Sequence, residues 1–237
     1  MSAGLLILRP EPGASETAAR AAALGLRATV APLFTVEPLP WAAPDAACFD
    51  AVLLTSANAV RHAGDNLSRF THLPCYAVGP ATAAAAAAAG FASVESGSAD
   101  GKEAAAMMAD RHVRRAFHLC GRNRMPLGEP SVTIEAVPVY AAEPVDRLPA
   151  GTREALLGGA VALLHSPRAA RLLATLVDGE DIARSAVALA AISEAVAAAA
   201  GPGWKTTQAA ARPRDDALLE LAAKLCNNGA AATSVSG

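Results

Sequence analysis

The stretch VPVYAAEPV, residues 137–145, has a near copy at residues 31–39, which read APLFTVEPL. When the two are aligned, Tyr140 falls on Phe34 and both copies carry Glu-Pro just before their last residue. β-Branched or aromatic residues lead into each copy and a second proline ends it, so both are predicted to be strands. Each copy also lies where one kind of sequence ends and another begins. We therefore predict two strands that cross between the same two domains and leave a cleft, with Tyr140 at its hinge.

Strand and helix patterns alternate along the rest of the chain, which favours an α/β fold. The apolar run Leu5–Leu8 predicts a buried strand, and the Ala-rich residues 15–24 predict a helix with Ser15 as its N-cap. Residues 27–36 are predicted to be a second strand that runs into the first linker. A β-α-β unit of this kind makes two parallel strands of one sheet.

An internal repeat indicates how the strands are shared between the domains. VLLTSANAV at 52–60 matches ALLHSPRAA at 162–170, and a strand followed by an Ala-rich helix recurs at 76–90 and at 189–201. Each copy supplies three strand–helix units and lacks the two strands that complete a five-stranded doubly wound parallel sheet. The N-terminal unit can complete the last copy, and the strands that lead up to the return linker can complete the middle one.

The two domains are thus predicted to be permuted relative to each other. Domain 1 is discontinuous and comprises residues 1–36 and 146–237, and domain 2 comprises residues 37–145.

The composition excludes several classes of function. A formal net charge of −2 argues against a nucleic-acid-binding protein, which usually carries a basic face. No apolar run is long enough to cross a bilayer, and the N-terminal MSAGLLILRP has no basic region of the kind that begins a signal peptide, so no membrane partner is expected. The four cysteines form no C-x-x-C pair, which favours a reduced, cytoplasmic compartment and no metal site.

The common catalytic signatures are missing from the chain. It contains no G-x-G-x-x-G, no P-loop, no G-x-S-x-G and no H-E-x-x-H. His165 and Ser166 are adjacent in the sequence, so at a strand end their side chains point apart and a catalytic dyad is not expected. Ser56 and Ser166 are more simply interpreted as helix caps.

The carboxyl ends of the predicted strands are the remaining place for a ligand. Most are followed at once by the start of a helix, as at Gly79-Pro80, where free N–H groups and a partial positive charge favour carboxylates or phosphates. The candidate binding residues at these ends are Arg9, Thr55, Ser56, Gly79, Gly121, Arg122, Ser166 and Ser193. If both sheets turn these ends to one cleft, the ligand is a large, flexible polyanion. For Arg9 and Arg122 the alternative is simple solvation at the surface.

Tyr140 is the one residue for which the pattern allows a chemical role. A phenol at the hinge could donate a proton or a hydrogen bond to a departing hydroxyl group. An amphipathic linker residue that matches Phe34 in the other strand is an equal alternative.

Together these segments resemble the uroporphyrinogen-III synthase family. The resemblance covers nearly the whole chain and rests on the order and spacing of motifs, none of which is strict. The motifs are LRPEPGA (8–14), VAPLFTVEPL (30–39), DAVLLTSANAV (50–60), CYAVGPATAAAAAAAGF (75–91), VPVYAAEPV (137–145), LLHSPRAA (163–170), AISEAVAAAAGPGW (191–204) and RPRDDALLELAA (212–223).

The resemblance implies two flavodoxin-like domains joined by a two-stranded linker, with the first domain built from both chain ends. It implies an enzyme of tetrapyrrole biosynthesis that closes linear hydroxymethylbilane to uroporphyrinogen III, with loss of water and inversion of ring D, and that needs no cofactor or metal. Independently of the resemblance, we expect a monomer. The family's linker tyrosine, proposed to assist departure of the hydroxyl group, falls on Tyr140. Its cleft hydroxyls and glycines fall on Thr55, Ser56, Gly79, Thr82, Gly121 and Ser166.

The chain departs from the family pattern at two places. The strand–helix junction at residues 192–196, in the last copy of the repeat, keeps only one hydroxyl, that of Ser193. The segment 122–130 holds two prolines and is predicted to form a loop or a single turn, where the family has a full helix.

Two other functions fit the same architecture. One is a hinged, two-domain cytoplasmic protein that binds a small polyanion without catalysis. The other is a nucleotide-sugar transferase, which also places its ligand between two α/β domains but usually has a longer chain.

Overall fold

The computed structural model describes residues 4–96, 100–124, 127 and 131–233, with side chains up to residue 227. Strands and helices alternate along it. The strands are β1 (Leu5–Ile7), β2 (Ala28–Val30), β3 (Phe34–Pro38), β4 (Ala51–Leu54), β5 (Cys75–Ala77), β6 (Val94–Ser96), β7 (Arg115–Gly121), β8 (Thr133–Pro144), β9 (Val161–Leu164), β10 (Ala188–Ala191) and β11 (Thr206–Ala209). The α-helices are α1 (Gly13–Ala23), α2 (Ala57–His62), α3 (Pro80–Ala88), α4 (Gly101–Asp110), α5 (Thr152–Leu157), α6 (Pro167–Gly179), α7 (Glu194–Ala199) and α8 (Asp215–Thr233), and short 3-10 helices span Ala46–Cys48, Asp65–Phe70 and Arg184–Ala186.

The first sheet has five parallel strands in the spatial order β2-β1-β9-β10-β11. Strands β1 and β9 are apolar and buried throughout, as expected for strands covered by helices on both faces. Strand β1 lies between β2 and β9, so the two ends of the chain build one sheet. This is the flavodoxin-like order 2-1-3-4-5.

The second sheet has the order β3-β8-β7-β4-β5-β6, in which every pair from β8 to β6 is parallel. Counted from β7 as the first strand, these five strands also follow the order 2-1-3-4-5. The second sheet is therefore a circular permutation of the first. The predicted fold class, α/β with two flavodoxin-like doubly wound sheets, is confirmed.

Contacts between residues divide the chain into two compact units. Unit 1 comprises Met1–Thr35 and Glu143–Gly237, and unit 2 comprises Val36–Ala142. The chain passes from one unit to the other in β3 and again in β8.

Hydrogen bonds join these two crossing strands. The Leu39 amide donates to the Val139 carbonyl at 2.9 Å, and the Val145 amide donates to the Leu33 carbonyl at 3.1 Å. Because residue numbers rise along one strand as they fall along the other, the two strands run antiparallel.

Two predictions about the N-terminal region are wrong. Residues 27–36 are not one strand, because the Ala31 amide bonds to β1 and the chain then leaves the first sheet to begin β3 at Phe34. Ser15 is not the N-cap of the first helix, which begins at Gly13. The Glu11 carboxylate accepts hydrogen bonds from the Ser15 amide at 3.0 Å and from its hydroxyl at 2.8 Å, so Glu11 binds groups in the first turn and the helix begins two residues earlier.

Aromatic side chains fill one face of the second sheet. The ring of Phe117 lies 4.6 Å from that of Phe70, 5.0 Å from that of Phe49 and 6.0 Å from that of Trp41. The Trp41 indole N–H also donates to the Ala63 carbonyl at 2.9 Å, which holds the chain that follows β3 onto this face. The opposite face packs on α4 through Leu53, Ala104 and Met108.

Candidate functional site

The phenol of Tyr140 lies at the carboxyl end of β7. Tyr140 pairs with Gly121, the last residue of that strand, just after an irregularity in the register between Cys120 and Gly121. A Cβ atom on Gly121 would lie 2.8 Å from Cζ of the tyrosine and 3.0 Å from its hydroxyl oxygen. The Arg122 amide donates to the Tyr140 carbonyl at 2.9 Å. The absence of a side chain at residue 121 thus leaves room for the ring, and the backbone of the next residue bonds to the tyrosine.

The ring of His62 lies near the same phenol, and no sequence motif pointed to this histidine. The centroids of the His62 and Tyr140 rings are 6.1 Å apart, with their planes tilted by 35°. Burial, followed by the charge of Arg61, lowers the pKa of His62. His62 is also part of the wall of an open groove of about 560 Å³, whose other walls are residues 38–41 and 63–66.

Thr55 follows β4 directly and makes its contact with a buried histidine. Its hydroxyl oxygen lies 3.1 Å from Nε2 of His118, which is on the neighbouring strand β7. His118 is 1% exposed, and burial together with the charge of Arg124 lowers its pKa to about 4. The imidazole is therefore neutral near pH 7.

The next candidates in unit 2 lie at helix starts. The Ser56 hydroxyl oxygen accepts a hydrogen bond from the Asn58 amide at 3.2 Å, so the interpretation of Ser56 as a helix cap describes its geometry. Gly79 precedes α3 with φ = 79°, a conformation that favours glycine, and Pro80 is the first residue of the helix. Thr82, in the first turn of α3, is buried.

The candidates in unit 1 lie at the carboxyl ends of its own sheet. The Ser166 hydroxyl oxygen caps α6 by accepting from the Ala169 amide at 3.1 Å. Ser193 occupies the same position before α7 but makes no such hydrogen bond with its side chain. Arg9 follows β1, and its Nη1 atom donates to the Thr17 hydroxyl at 3.3 Å.

A cluster around Asp215 holds Arg9 in place. Nη1 of Arg9 lies 3.6 Å from the Asp215 carboxylate, which also accepts from the Thr17 hydroxyl at 3.1 Å and from Nε of Arg20 at 2.8 Å. Nε2 of His165 lies 2.9 Å from the same carboxylate. Burial alone would raise the pKa of Asp215, but the hydrogen bonds and charges of His165 and Arg20 outweigh it and the pKa falls to about 2.

Sequence reasoning missed Asp215 as a functional candidate. The sequence feature that could have identified Asp215 is its position in the acidic first turn of α8, after the last strand of the first sheet. Its partners come from β1, α1 and the end of β9, and their approach depends on the folded sheet.

Among the described residues there is no group of three or more His, Cys, Asp or Glu side chains that could hold a metal ion. None of the helices in the described part of the chain is both long and apolar enough to cross a membrane.

Comparison with models of protein families finds one that covers most of the chain. The model described as HEM4, uroporphyrinogen-III synthase HemD, matches residues 15–220. The chain belongs to the uroporphyrinogen-III synthase family. It is accordingly an enzyme of porphyrin biosynthesis, and the resemblance drawn from the motifs is confirmed.

Comparison with solved structures matches the chain to those of a uroporphyrinogen III synthase from the extremely thermophilic bacterium Thermus thermophilus. The wild-type native form has 18% sequence identity and a TM-score of 0.41, with 96% of this chain and 100% of that chain covered. A mutant selenomethionine form has 17% identity and a TM-score of 0.49, with 95% and 100% covered. No curated protein sequence is significantly similar to the chain.

Within this synthase the candidate residues do not form a single group. Gly121, Arg122 and Tyr140 come together, and Tyr140 packs against the cluster that contains Phe117. Thr55 contacts His118 on the face of the sheet that packs on α4, where a Cβ atom on Gly101 would lie 3.3 Å from its methyl group. Tyr140 and Thr55 thus lie on opposite faces of one sheet.

The predicted loop at 122–130 falls only partly in the described structure. Residues 122–124 and 127 lie in no helix or strand, and the other residues of that segment lie outside the described residues.

Proposed function

We propose that this synthase converts linear hydroxymethylbilane into uroporphyrinogen III, with loss of water and inversion of ring D. Membership of the family makes a tetrapyrrole the substrate class. The observation that carries the proposal is the Tyr140 phenol, which lies at a carboxyl strand end against a glycine that leaves room for its ring.

The reaction begins with loss of the terminal hydroxyl group. The Tyr140 phenol donates a proton to the departing oxygen, the C–O bond breaks with release of water, and the electrons of the adjacent pyrrole form a protonated azafulvene, whose positive charge is balanced by the phenolate. The substituted carbon of ring D attacks the methylene carbon and gives a spiro intermediate, which fragments and recloses with ring D inverted. The proton released when ring D regains its aromatic form restores the phenol, so only water is lost.

Binding of the eight substrate carboxylates is the second part of the proposal. The expected contacts are Arg9, Thr55, Ser56, Gly79, Thr82, Gly121, Arg122, Ser166 and Ser193. Linear hydroxymethylbilane closes to the uninverted isomer without help, so the protein must hold one folded conformation in which proximity selects the bond that forms.

The steps of this reaction need no cofactor and no metal, because they exchange carbon–carbon bonds and release water. We propose a monomer that acts in the cytoplasm without nucleic acid or membrane partners. Three of its cysteines, Cys75, Cys120 and Cys226, are buried as free thiols, which suits a reducing compartment.

An isomer assay tests the proposal. Freshly generated hydroxymethylbilane is supplied to the purified protein, the products are oxidised, and uroporphyrins I and III are separated by chromatography. We expect isomer III to be the main product. Isomer I alone, formed at the rate seen without protein, would refute the synthase reaction and favour a protein that binds a polyanion without catalysis.

A further inference from the structure

His118 is an ionisable side chain in the middle of the second sheet. It lies on β7 opposite Leu53 of β4 and is 1% exposed. Its only hydrogen-bond contact among the described residues joins Nε2 to the Thr55 hydroxyl oxygen at 3.1 Å. Its other ring nitrogen, Nδ1, is buried and has no partner in the described part of the chain. Buried polar atoms without a hydrogen-bond partner are uncommon in folded proteins, so packing alone does not account for a histidine at this position.

The unpartnered nitrogen determines which ring atom carries the proton. A neutral imidazole has one N–H group and one nitrogen that accepts. If Nδ1 carried the proton, a buried N–H group would have no acceptor, and such orphan donors are rarer in proteins than unused acceptors. The Thr55 hydroxyl can either donate or accept, so it permits either form. The tautomer with the proton on Nε2 is therefore favoured.

This tautomer sets the direction of the hydrogen bond to Thr55. The Nε2–H group of His118 donates to the threonine oxygen, so Thr55 does not donate its hydroxyl proton to the imidazole. Thr55 is β-branched and its methyl group lies near Gly101, which limits the rotation of the side chain. The hydroxyl is half-buried at the carboxyl end of β4 and can donate its proton to an acceptor there.

We propose that His118 is a positioning residue that fixes the Thr55 hydroxyl as a hydrogen-bond donor to a carboxylate of the substrate. The identity of the substrate rests on the proposed function. The orientation of the hydroxyl does not depend on the substrate, because it follows from the hydrogen bond between His118 and Thr55 alone.

The tautomer can be measured without any substrate. The ¹⁵N chemical shifts of the ring nitrogens, recorded on the full-length protein at pH 7, distinguish the two neutral forms and the imidazolium. The His118→Gln variant assigns the His118 signals by their disappearance. We expect a neutral ring with the proton on Nε2, and a proton on Nδ1 or on both nitrogens would overturn the proposal.

Kinetics test whether the effect passes through Thr55. His118→Phe keeps a large buried ring but removes the hydrogen-bond donor to Thr55. We expect it to raise KM for hydroxymethylbilane roughly tenfold with little change in kcat, because the substrate carboxylate then meets a hydroxyl that is no longer oriented as a donor. His118→Gln places an amide donor close to the position of Nε2 and should bring KM back near the wild-type value. Thermal melting of both variants shows whether the fold is kept.

A double-mutant cycle with Thr55→Val completes the test. In the Thr55→Val background we expect His118→Phe to have no further effect on KM. An equal rise in KM in both backgrounds would show that His118 does not act through Thr55. If the wild-type protein forms no isomer III, the proposed function fails, and the tautomer measurement still decides whether His118 donates to the Thr55 hydroxyl oxygen.

Discussion

Gly121 and Tyr140 are matched in size across adjacent strands. A methyl group at residue 121 would lie 2.8 Å from Cζ of the tyrosine, closer than real Cβ contacts come. The glycine therefore sets where the phenol can lie. Both residues lie next to the irregularity that ends the regular pairing of β7 with β8.

Replacement of Gly121 by Ala should displace the Tyr140 ring and reduce activity. We expect kcat for isomer III to fall by roughly tenfold or more, since small errors in the position of a catalytic group are costly. Stopped assays with freshly generated hydroxymethylbilane measure this, and circular dichroism reports on the fold.

Gly179→Ala is the matched control. Gly179 ends α6, has no atom within 4 Å of the place a Cβ would take, and has no positive φ. The control should keep wild-type activity. If Gly121→Ala is as active as Gly179→Ala, the position of the phenol does not matter for the reaction.

Tyr140→Phe tests the phenol itself. Loss of a general acid should lower kcat by about a hundredfold while KM changes little. Tyr76→Phe is the comparison, because Tyr76 is the other tyrosine of unit 2 and is buried on the opposite face of the sheet. Equal activity of the two variants would favour the linker interpretation of Tyr140.

Asp215→Asn should destabilise unit 1 in a pH-dependent way. The side chain is 16% exposed, and its pKa in the folded chain is about 2 against an ordinary value of 3.8. A carboxyl group whose pKa is lower in the folded chain than in the unfolded chain stabilises the fold at pH values above its unfolded pKa. This stabilisation is lost as the pH falls through its folded pKa. At pH 7 we expect the free energy of unfolding to fall by roughly 2 kcal/mol.

Urea titrations of wild type and variant between pH 7 and pH 2 measure the difference. It should shrink as the pH falls from about 4 to about 2, because the Asp215 carboxyl of the wild type becomes uncharged first in the unfolded chain and then in the folded chain. The neighbouring Asp216→Asn is the control, since that side chain is 48% exposed and its change should be small. A gap between wild type and Asp215→Asn that does not depend on pH would contradict the assignment.

Ser166 and Ser193 form a natural pair for separating capping from binding. Ser166→Ala removes the hydrogen bond to the Ala169 amide and should cost about 1 kcal/mol of stability. Ser193→Ala removes no such bond and should leave the melting temperature nearly unchanged. If both serines also bind substrate carboxylates, both variants raise KM; equal melting temperatures for the two would contradict the capping geometry.

Sequence patterns predicted the fold class and several local features correctly. The buried run of β1, the start of α3 at Pro80 and the caps at Ser56 and Ser166 are all present. These features depend on residues within a few positions of one another, and the permuted order of strands followed from an internal repeat. The predictions that Ser15 caps the first helix and that residues 27–36 form one strand were wrong. Each needed a choice between two possible partners for the same backbone groups.

The sequence alone determined the alternation of strands and helices, the permuted repeat and the residues at the strand ends, because burial patterns and helix caps act over short ranges. Only the tertiary structure showed that Asp215 bonds to Thr17, 198 positions away, and that His118 bonds to Thr55, 63 positions away. It also showed that Tyr140 and Thr55 lie on opposite faces of one sheet. Such pairings depend on strand register and on the space left by neighbouring side chains, which are set only when the whole sheet has formed.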